Sequence, residues 1–227
     1  MNRRLNALAD MVDAGSRVAD IGTDHAYLPI ELVKIGKIDY AIASDIAQGP
    51  LQNAQNDIKK AGLEDKITTR LGSGLEPITH DDRIDTVVIA GMGGKLMTTI
   101  LNTAWEQNFH FPTLILEPNV GEPGVRKWLC AHNYQIQDED LLAEAGHTYE
   151  LIKAKTVDKK IPLSPKELFF GPQILQEKNK IFYQKWQDQL AYHEKLLVNL
   201  NKAKKKDITH IAQIETEIKF IKEEIND

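Results

Sequence analysis

Cysteine is nearly absent from this sequence of 227 residues, which contains Cys130 alone. A single thiol excludes an internal disulfide and any metal site built from several cysteines. Long apolar runs are also missing, since none approaches the ~20 residues that a membrane-spanning helix requires. The opening Met1-Asn2-Arg3-Arg4 leads into an amphipathic stretch and not into the apolar core of a secretory leader. These absences favour a cytoplasmic protein with no bound metal and no membrane partner.

The sequence does have enough apolar residues for a folded core, and its charge is divided. Hydrophobic residues make up 42% and charged residues 27%, and the net charge is −5. Residues 1–150 carry 13 Lys/Arg and 22 Asp/Glu, a net of −9, whereas residues 151–227 carry 15 and 11, a net of +4. A basic part indicates an anionic partner, although a solvated helical surface rich in Lys and Glu explains the same composition.

Apolar stretches alternate with amphipathic ones over the first two thirds of the chain. The stretches typical of strands cover residues 18–20, 40–45, 67–71, 85–90, 113–116, 134–143 and 147–157. Helical spacing indicates helices near residues 5–12, 28–34, 50–61, 95–101 and 124–132. Since the strands are almost continuously apolar, we predict an α/β fold with a parallel sheet covered on both faces. The last two strands predict a β-hairpin that closes this sheet.

The carboxyl-terminal part lacks glycine and proline from Ile174 onward. Two apolar stripes recur there at intervals of three and four residues, which is the pattern of a coiled-coil seam. They are Phe182, Trp186, Leu190, His193, Leu197 and Leu200, then Ile211, Ile214, Ile218, Ile221 and Ile225. With a turn at Lys202–Asp207, the two runs predict an antiparallel helical coiled coil in which His193 is packed and binds no ligand. Leu163-Ser164-Pro165 interrupts regular secondary structure, and we place the domain boundary just before it, giving domains 1–160 and 161–227.

The turn after the first strand is the most informative segment. Asp20 ends the strand, and Gly22 lets the backbone approach a ligand because it has no Cβ. A Gly-x-Gly-x-x-Gly run is missing, because Thr23, Asp24 and Ala26 stand where a pyrophosphate site would prefer glycine. The Asp24 carboxylate would also repel a phosphate. The loop therefore favours a cationic or zwitterionic ligand, of which S-adenosylmethionine is the common one.

The loops after the next strands lie at the same edge of a parallel sheet, where ligands bind. Asp45 can accept hydrogen bonds from both ribose hydroxyls of an adenosyl group, although an acid there can also be a strand-end cap. An NAD-dependent oxidoreductase is an alternative, but Asp24 and the closing hairpin argue against it. The predicted cofactor-binding residues are Asp20, Gly22, Thr23, His25, Tyr27, Asp45, Ile46, Gly72, Ser73, Gly74, Leu75, Ala90, Gly91, Met92 and Gly93.

Several segments, taken together, closely resemble the TrmK family of bacterial tRNA adenine-N1 methyltransferases. They are RLNALADMV at 4–12, VADIGTDHAYLPI at 18–30, IAGMGG at 89–94, LILEPN at 114–119, GHTYEL at 146–151 and ELFFGP at 167–172. The resemblance covers nearly the whole chain, and Thr-Asp-His in place of the usual glycines marks this family. It implies methyl transfer from S-adenosylmethionine to N1 of the adenine at tRNA position 22. It also implies a Rossmann-like class I methyltransferase sheet of seven strands whose last strand is antiparallel.

The reaction implied by this resemblance needs little activation of the nucleophile by the protein, since N1 of a neutral adenine has a free lone pair. Catalysis then comes mostly from positioning and desolvation. Asp24 and His25 are expected beside the reacting base and Asn119 is expected to hold it, with Glu117 a further candidate. Which of them, if any, acts as a base stays open.

Four lysines in the turn between the two predicted helices can contact the tRNA backbone, although a solvated tip is the alternative. They are Lys202, Lys204, Lys205 and Lys206. A non-catalytic RNA-binding protein is a further alternative for the whole chain. A monomer is expected.

Overall fold

The computed structural model describes residues 2–203 and 205–226. The chain divides into two compact units, Met1–Gln173 and Ile174–Asp227. The domain boundary predicted after residue 160 stays a prediction. No helix among the described residues is long and apolar enough to cross a membrane. The same residues contain no group of three His, Cys, Asp or Glu side chains that could hold a metal ion.

The first unit alternates strands with helices, as the sequence predicts. Its strands are β1 Arg17–Ile21, β2 Tyr40–Asp45, β3 Ile67–Leu71, β4 Thr86–Gly93, β5 Thr113–Val120, β6 Tyr134–Glu144 and β7 His147–Thr156. Its helices are α1 Arg3–Met11, α2 Tyr27–Lys34, α3 Gln48–Ala61, α4 Gly94–Glu106, α5 Glu122–Ala131 and α6 Pro165–Phe170, followed by α7 Pro172–Glu177 at the boundary. A single 3-10 turn among the described residues covers His80–Asp82.

The seven strands form one sheet in the order β3-β2-β1-β4-β5-β7-β6. The pairs on the β3 side of β5 are parallel, and β7 runs antiparallel to both of its neighbours. The predicted seven-stranded Rossmann-like sheet, with its closing hairpin, is therefore confirmed. β1 lies between β2 and β4, so the chain adds β2 and β3 on one side of β1 and then crosses to add β4 on the other side. This reversal opens a crevice at the carboxyl ends of the strands.

Helices cover both faces of the sheet. Successive residues of one strand belong to different apolar clusters: Val18 and Val88 to one, Ala19 and Val87 to the other. Since neighbouring side chains on a strand point to opposite faces, the two clusters are the two faces of the sheet. Burial on both sides explains why these strands are continuously apolar.

The second unit consists mainly of two helices, α8 Lys180–Lys202 and α9 Ile208–Ile225. Lys178, just before α8, pairs with Glu224 late in α9, whereas His193, past the middle of α8, pairs with the earlier Glu217. The pair is therefore antiparallel, as predicted, and its buried residues include Phe182, Trp186, His193, Ile211, Ile214 and Ile221. The supercoiled seam stays a prediction.

His193 is a structural residue of this helix pair. Its Nε2 lies 2.9 Å from Glu217 Oε2, and its Nδ1 lies 2.7 Å from the carbonyl oxygen of Gln189. The hydrogen bond to Glu217 raises the pKa of His193. With both ring nitrogens engaged inside the second unit, His193 is packed as the sequence pattern indicates.

Candidate active site

A cleft of ≈ 310 Å³ opens where β1 ends. The loop after β1 forms one wall, and its shape comes from local hydrogen bonds: Gly22 N and Thr23 N donate to Ser44 O at 2.8 and 3.0 Å, and Ala26 N donates to Thr23 Oγ1 at 3.0 Å. Helix α1 contributes the opposite wall, with Arg4, Leu5 and Leu8 among its side chains. The loop residues facing this cleft are Gly22, Thr23, Asp24, His25, Ala26 and Tyr27, together with Asp20 of β1.

A second cavity of ≈ 120 Å³ shares Gly22 with the cleft. It lies between the loops after β2, β3 and β4, and its lining includes Asp45, Ile46, Gly72, Ser73, Gly74 and Met92. Asp45 Oδ1 accepts a hydrogen bond of 2.7 Å from Ala47 N, and this contact shapes the loop after β2. The lining is largely apolar apart from this carboxylate, which suits a flat aromatic ring with a polar sugar attached.

Gly22 lines both cavities. Its φ is +81°, in the left-handed region that favours glycine, and a Cβ there would lie 2.1 Å from Met92 Cε. A side chain at this position would both strain the turn and collide with the Met92 methyl group. Since Gly22 lines both cavities, a ligand that occupied the two of them would lie against its backbone.

Asp20 gives the cleft a carboxyl group with unusual titration. Desolvation by burial, with a smaller contribution from the nearby Asp45 carboxylate, raises the pKa of Asp20 to about 6. The Thr23 hydroxyl and the Arg4 guanidinium partly offset this rise. A buried carboxyl that resists ionisation gains from a cationic ligand, which restores the charged form.

A second polar network lies at the ends of β4 and β5. Arg4 Nη1 donates to Glu117 Oε2, and the Arg4 guanidinium lies 5.5 Å from the centre of the Tyr149 ring. Glu117 is fully buried, and burial raises its pKa, while Arg4 acts in the opposite direction. Its Oε1 has no hydrogen-bond partner among the residues described, so it is a buried acceptor beside the cleft wall. Asn119 Nδ2 donates to Gly91 O at 2.7 Å and joins the two strand ends.

The imidazole of His25 is held in a fixed orientation. Its Nδ1 lies 2.7 Å from Asp57 Oδ2 on α3, and its ring stacks on Tyr27 with centroids 4.8 Å apart. Its Nε2 lies 3.5 Å from Asp24 Oδ2. The cleft thus brings together carboxylates, an imidazole and an arginine around one opening.

Comparison with known proteins identifies this arrangement. The family model described as TrmK, tRNA (adenine(22)-N(1))-methyltransferase, matches residues 18–223. The chain belongs to the TrmK family. This membership, implied by the sequence motifs, is confirmed.

Relatives resemble the chain over almost its full length. A tRNA (adenine(22)-N(1))-methyltransferase of Bacillus subtilis strain 168 is 36% identical over 208 residues, which cover 89% of this chain and 87% of the relative. A Streptococcus pneumoniae protein crystallised in complex with S-adenosyl-L-methionine superimposes with a TM-score of 0.89, at 35% identity and 99% coverage of both chains. The TrmK of M. capricolum, in complex with S-adenosyl-homocysteine, gives a TM-score of 0.85 at 32% identity, covering 100% of this chain and 98% of that one.

In this TrmK chain, the residues predicted from the sequence fall into four groups. The cleft gathers Asp20, Gly22, Thr23, Asp24, His25, Tyr27 and Ala90, and the second cavity gathers Gly22, Asp45, Ile46, Gly72, Ser73, Gly74 and Met92. Leu75 lines a neighbouring hollow with Ser73 and Gly74. Gly91, Gly93 and Asn119 lie at the ends of β4 and β5, where Gly93 precedes α4 and Asn119 is bonded to Gly91.

Two residues beside the candidate site could not be predicted from the pattern of the loops. Arg4 reaches the cleft from α1, and Asp57 reaches His25 from the middle of α3. In the sequence both look like ordinary charged residues of amphipathic helices. Their roles depend on which helix packs beside the crevice, and no local pattern carries that information.

Proposed function

We propose that this chain transfers the methyl group of S-adenosylmethionine to N1 of adenine 22 in tRNA. The proposal rests on one combination of observations: the chain has a TrmK-family sequence, and its crevice holds two cavities that share Gly22 and are bordered by carboxyl groups. The cofactor supplies an electrophilic methyl group on a positively charged sulfur. We further propose that the chain acts as a monomer in the cytoplasm, where it meets tRNA.

The cofactor-binding roles follow from the charges of the two cavities. Asp20 and Asp24 face the cleft and suit the cationic end of the cofactor. Asp45 faces the second cavity and would accept hydrogen bonds from ribose hydroxyls, with the backbone of Gly72 and Gly74 beside the adenine ring. The loop lacks the run of glycines that binds phosphate, which fits a ligand without a phosphate group.

The target base would enter the cleft beside Asp24, His25 and Asn119. Because the Watson–Crick edge of a paired adenine is hidden, the base must be unpaired or flipped before N1 can attack. Methylation leaves a cationic ring, and the carboxylates of Asp24 and Glu117 would stabilise the developing charge. The protein's contribution is in-line positioning and exclusion of water.

The proposed function is tested by incubating the protein with labelled S-adenosylmethionine and an unmodified tRNA transcript. One methyl group per tRNA is expected, recovered as 1-methyladenosine at position 22 by nuclease digestion and mass spectrometry. A transcript with guanine at position 22 is the control and should accept no label. Label at another position or on another atom would contradict the proposal.

Asp20 gives a pH prediction for cofactor binding. In the free protein its carboxyl has a pKa of about 6, so it is increasingly protonated as the pH falls through that value. A neutral carboxyl cannot pair with a cation, so binding must displace a proton. The dissociation constant of S-adenosylmethionine is expected to rise by about tenfold per pH unit below pH 6.

Calorimetry between pH 5 and pH 8 measures this dependence. The control is Asp20→Asn, which cannot ionise, and whose affinity at pH 7 should be lower. If the Asn variant kept the same steep loss of affinity in acid, another group would be responsible.

The lysine turn gives a prediction about tRNA binding. Lys202 is exposed at the end of α8, Lys205 and Lys206 are exposed in the turn before α9, and Lys204 lies outside the described residues. Replacing all four by Gln should weaken tRNA binding and flatten its salt dependence, by roughly 0.7–0.9 in the slope of log K against log salt for each lost phosphate contact. S-adenosylmethionine affinity should not change.

Binding curves at three salt concentrations provide the measurement. Lys195 and Lys219 are exposed on the same two helices, so the double variant Lys195→Gln/Lys219→Gln is the matched control and should keep most of the slope. An unaltered slope in the quadruple variant would mean that the turn is only a solvated tip.

A further inference from the structure

His25 is held on two sides, by Asp57 of α3 and by Tyr27 two residues further along the chain. Its Nδ1 lies 2.7 Å from Asp57 Oδ2, and its ring lies nearly parallel to that of Tyr27, at an angle of 6°. The other carboxylate oxygen, Asp57 Oδ1, accepts a hydrogen bond of 2.8 Å from Lys60 Nζ. Stacking on Tyr27 fixes the plane of the imidazole, and the hydrogen bond to Asp57 fixes the rotation of the ring within that plane. Nδ1 is therefore committed to Asp57, and Nε2 is the nitrogen left for a ligand in the cleft.

Asp57 also decides where the imidazole carries its hydrogen. The hydrogen bonds from Lys60 and His25 lower the pKa of Asp57, so its carboxyl stays ionised and can only accept. Nδ1 must then donate, and in the neutral ring Nε2 keeps its lone pair. A carboxylate behind a histidine sets the tautomer in the same way in hydrolase triads.

A lone pair at this nitrogen distinguishes the purines. Adenine carries an amino group at C6 next to N1, so it offers a hydrogen-bond donor beside the atom to be methylated. Guanine carries a carbonyl oxygen at C6 and a hydrogen on N1, so it offers an acceptor beside a blocked atom. Of these two purines, only adenine places a donor at C6 for an acceptor at Nε2.

We propose that Asp57 is a positioning residue, which fixes the tautomer of His25 so that Nε2 accepts a hydrogen bond from the C6 amino group of the target adenine. This inference rests on the proposed function and assigns base discrimination within that site. The contact would align N1 with the methyl group and reject a purine with an oxygen at C6.

The other charged groups around the imidazole are compatible with this role. Asp24 Oδ2 lies 3.5 Å from Nε2, but the Asp24 side chain is 68% exposed, so water screens its charge. Asn53 Nδ2 lies 3.4 Å from Asp24 Oδ1. Lys60 is 76% exposed and contacts Asp57 on the side away from His25. A protonated imidazole would donate to Asp24 and Asp57 at once and lose its acceptor.

The decisive variant is Asp57→Asn. Lys60 favours the amide oxygen on its own side, so the amide nitrogen faces His25 and donates to Nδ1. The ring hydrogen of His25 then moves to Nε2. This nitrogen becomes a donor that faces another donor, the C6 amino group of adenine. Since a buried hydrogen bond is replaced by a donor–donor clash, the single-turnover rate at saturating S-adenosylmethionine is expected to fall by about 10- to 100-fold. Lys60→Gln is the control, since it removes the ion pair but keeps the contact to His25, and its rate should stay near wild type.

A tRNA with unsubstituted purine at position 22 separates recognition from a structural role. This base keeps N1 but lacks the amino group, so it cannot use the contact in either protein. The rate loss of Asp57→Asn should therefore appear with adenine and largely vanish with purine. An equal loss with both bases would overturn the proposal, because a general distortion of the site affects both alike.

Nitrogen NMR of the protein without tRNA reports the tautomer directly. The wild type should show hydrogen on Nδ1 of His25 and Asp57→Asn should show it on Nε2, with the signals assigned through His25→Gln. An unchanged pattern would overturn the proposal even if activity fell. Because this readout needs no methyl transfer, it distinguishes failure of this inference from failure of the proposed function.

Discussion

Replacement of Arg126 by leucine is expected to destabilise the first unit by about 3–5 kcal/mol, because it leaves two carboxylates buried without their cation. Arg126 is fully buried on α5, with Nε 2.8 Å from Glu139 Oε1 and Nη2 2.5 Å from Glu150 Oε2. Both carboxylates belong to the β6–β7 hairpin, and burial raises the pKa of Glu139 despite the arginine. An unpaired charge in such a place either stays unsolvated or takes up a proton, and each costs free energy.

Urea unfolding at pH 7, followed by circular dichroism, measures this loss. The matched control is the triple variant Arg126→Leu/Glu139→Gln/Glu150→Gln, which removes all three charges together and should recover much of the stability. Arg126→Lys should fall between, since it keeps the charge but loses the two-pronged geometry. If Arg126→Leu unfolded at the same urea concentration as the wild type, the three charges would not be coupled as the distances indicate.

A chain ending at Gln173 is expected to keep its fold and bind S-adenosylmethionine, but to lose at least about 100-fold in tRNA methylation at sub-saturating tRNA, the loss that ~3 kcal/mol of missing binding energy gives. The sheet and both cavities lie within Met1–Gln173. The basic lysine turn lies in the part removed, and phosphate contacts dominate affinity for nucleic acids.

The shortened chain must extend to Gln173 because residues 171–173 complete the buried charge network around Arg126. Gln173 N donates to Glu139 Oε2 at 2.9 Å, and a Cβ on Gly171 would lie 2.5 Å from Arg126 Nη2. A chain ending at Val157 would lose these contacts and should be less stable than one ending at Gln173. Calorimetry with S-adenosylmethionine and methylation assays over a range of tRNA concentrations separate the two effects. Full activity of the chain ending at Gln173 would remove any substrate role for the helix pair.

The borders of strands and helices show where local sequence is sufficient. β2 and β3 begin and end at the predicted residues: the charged Asp39 and Lys66 precede them, and the acid Asp45 and the glycine Gly72 mark their ends. β4 extends to Gly93 although Gly91-Met92-Gly93 predicts a break after Ala90. Its end is held by pairing with β5, where Met92 aligns with Pro118 and Gly93 with Val120 across register shifts. Pairing with a distant strand outweighs a local preference there, and no local pattern shows that partner.

The sequence by itself determined the alternation of strands and helices, the closing hairpin, the antiparallel helix pair, the family and the loops that line the two cavities. These properties follow from periodicity and from motifs within single segments. Only the tertiary structure decided which helices stand beside the crevice. It brought Arg4 to Glu117 and Asp57 to His25, and it buried Arg126 between two glutamates. The physical reason is that a charge on an amphipathic helix acquires its partner, its burial and its pKa from the packing of elements far apart in the chain.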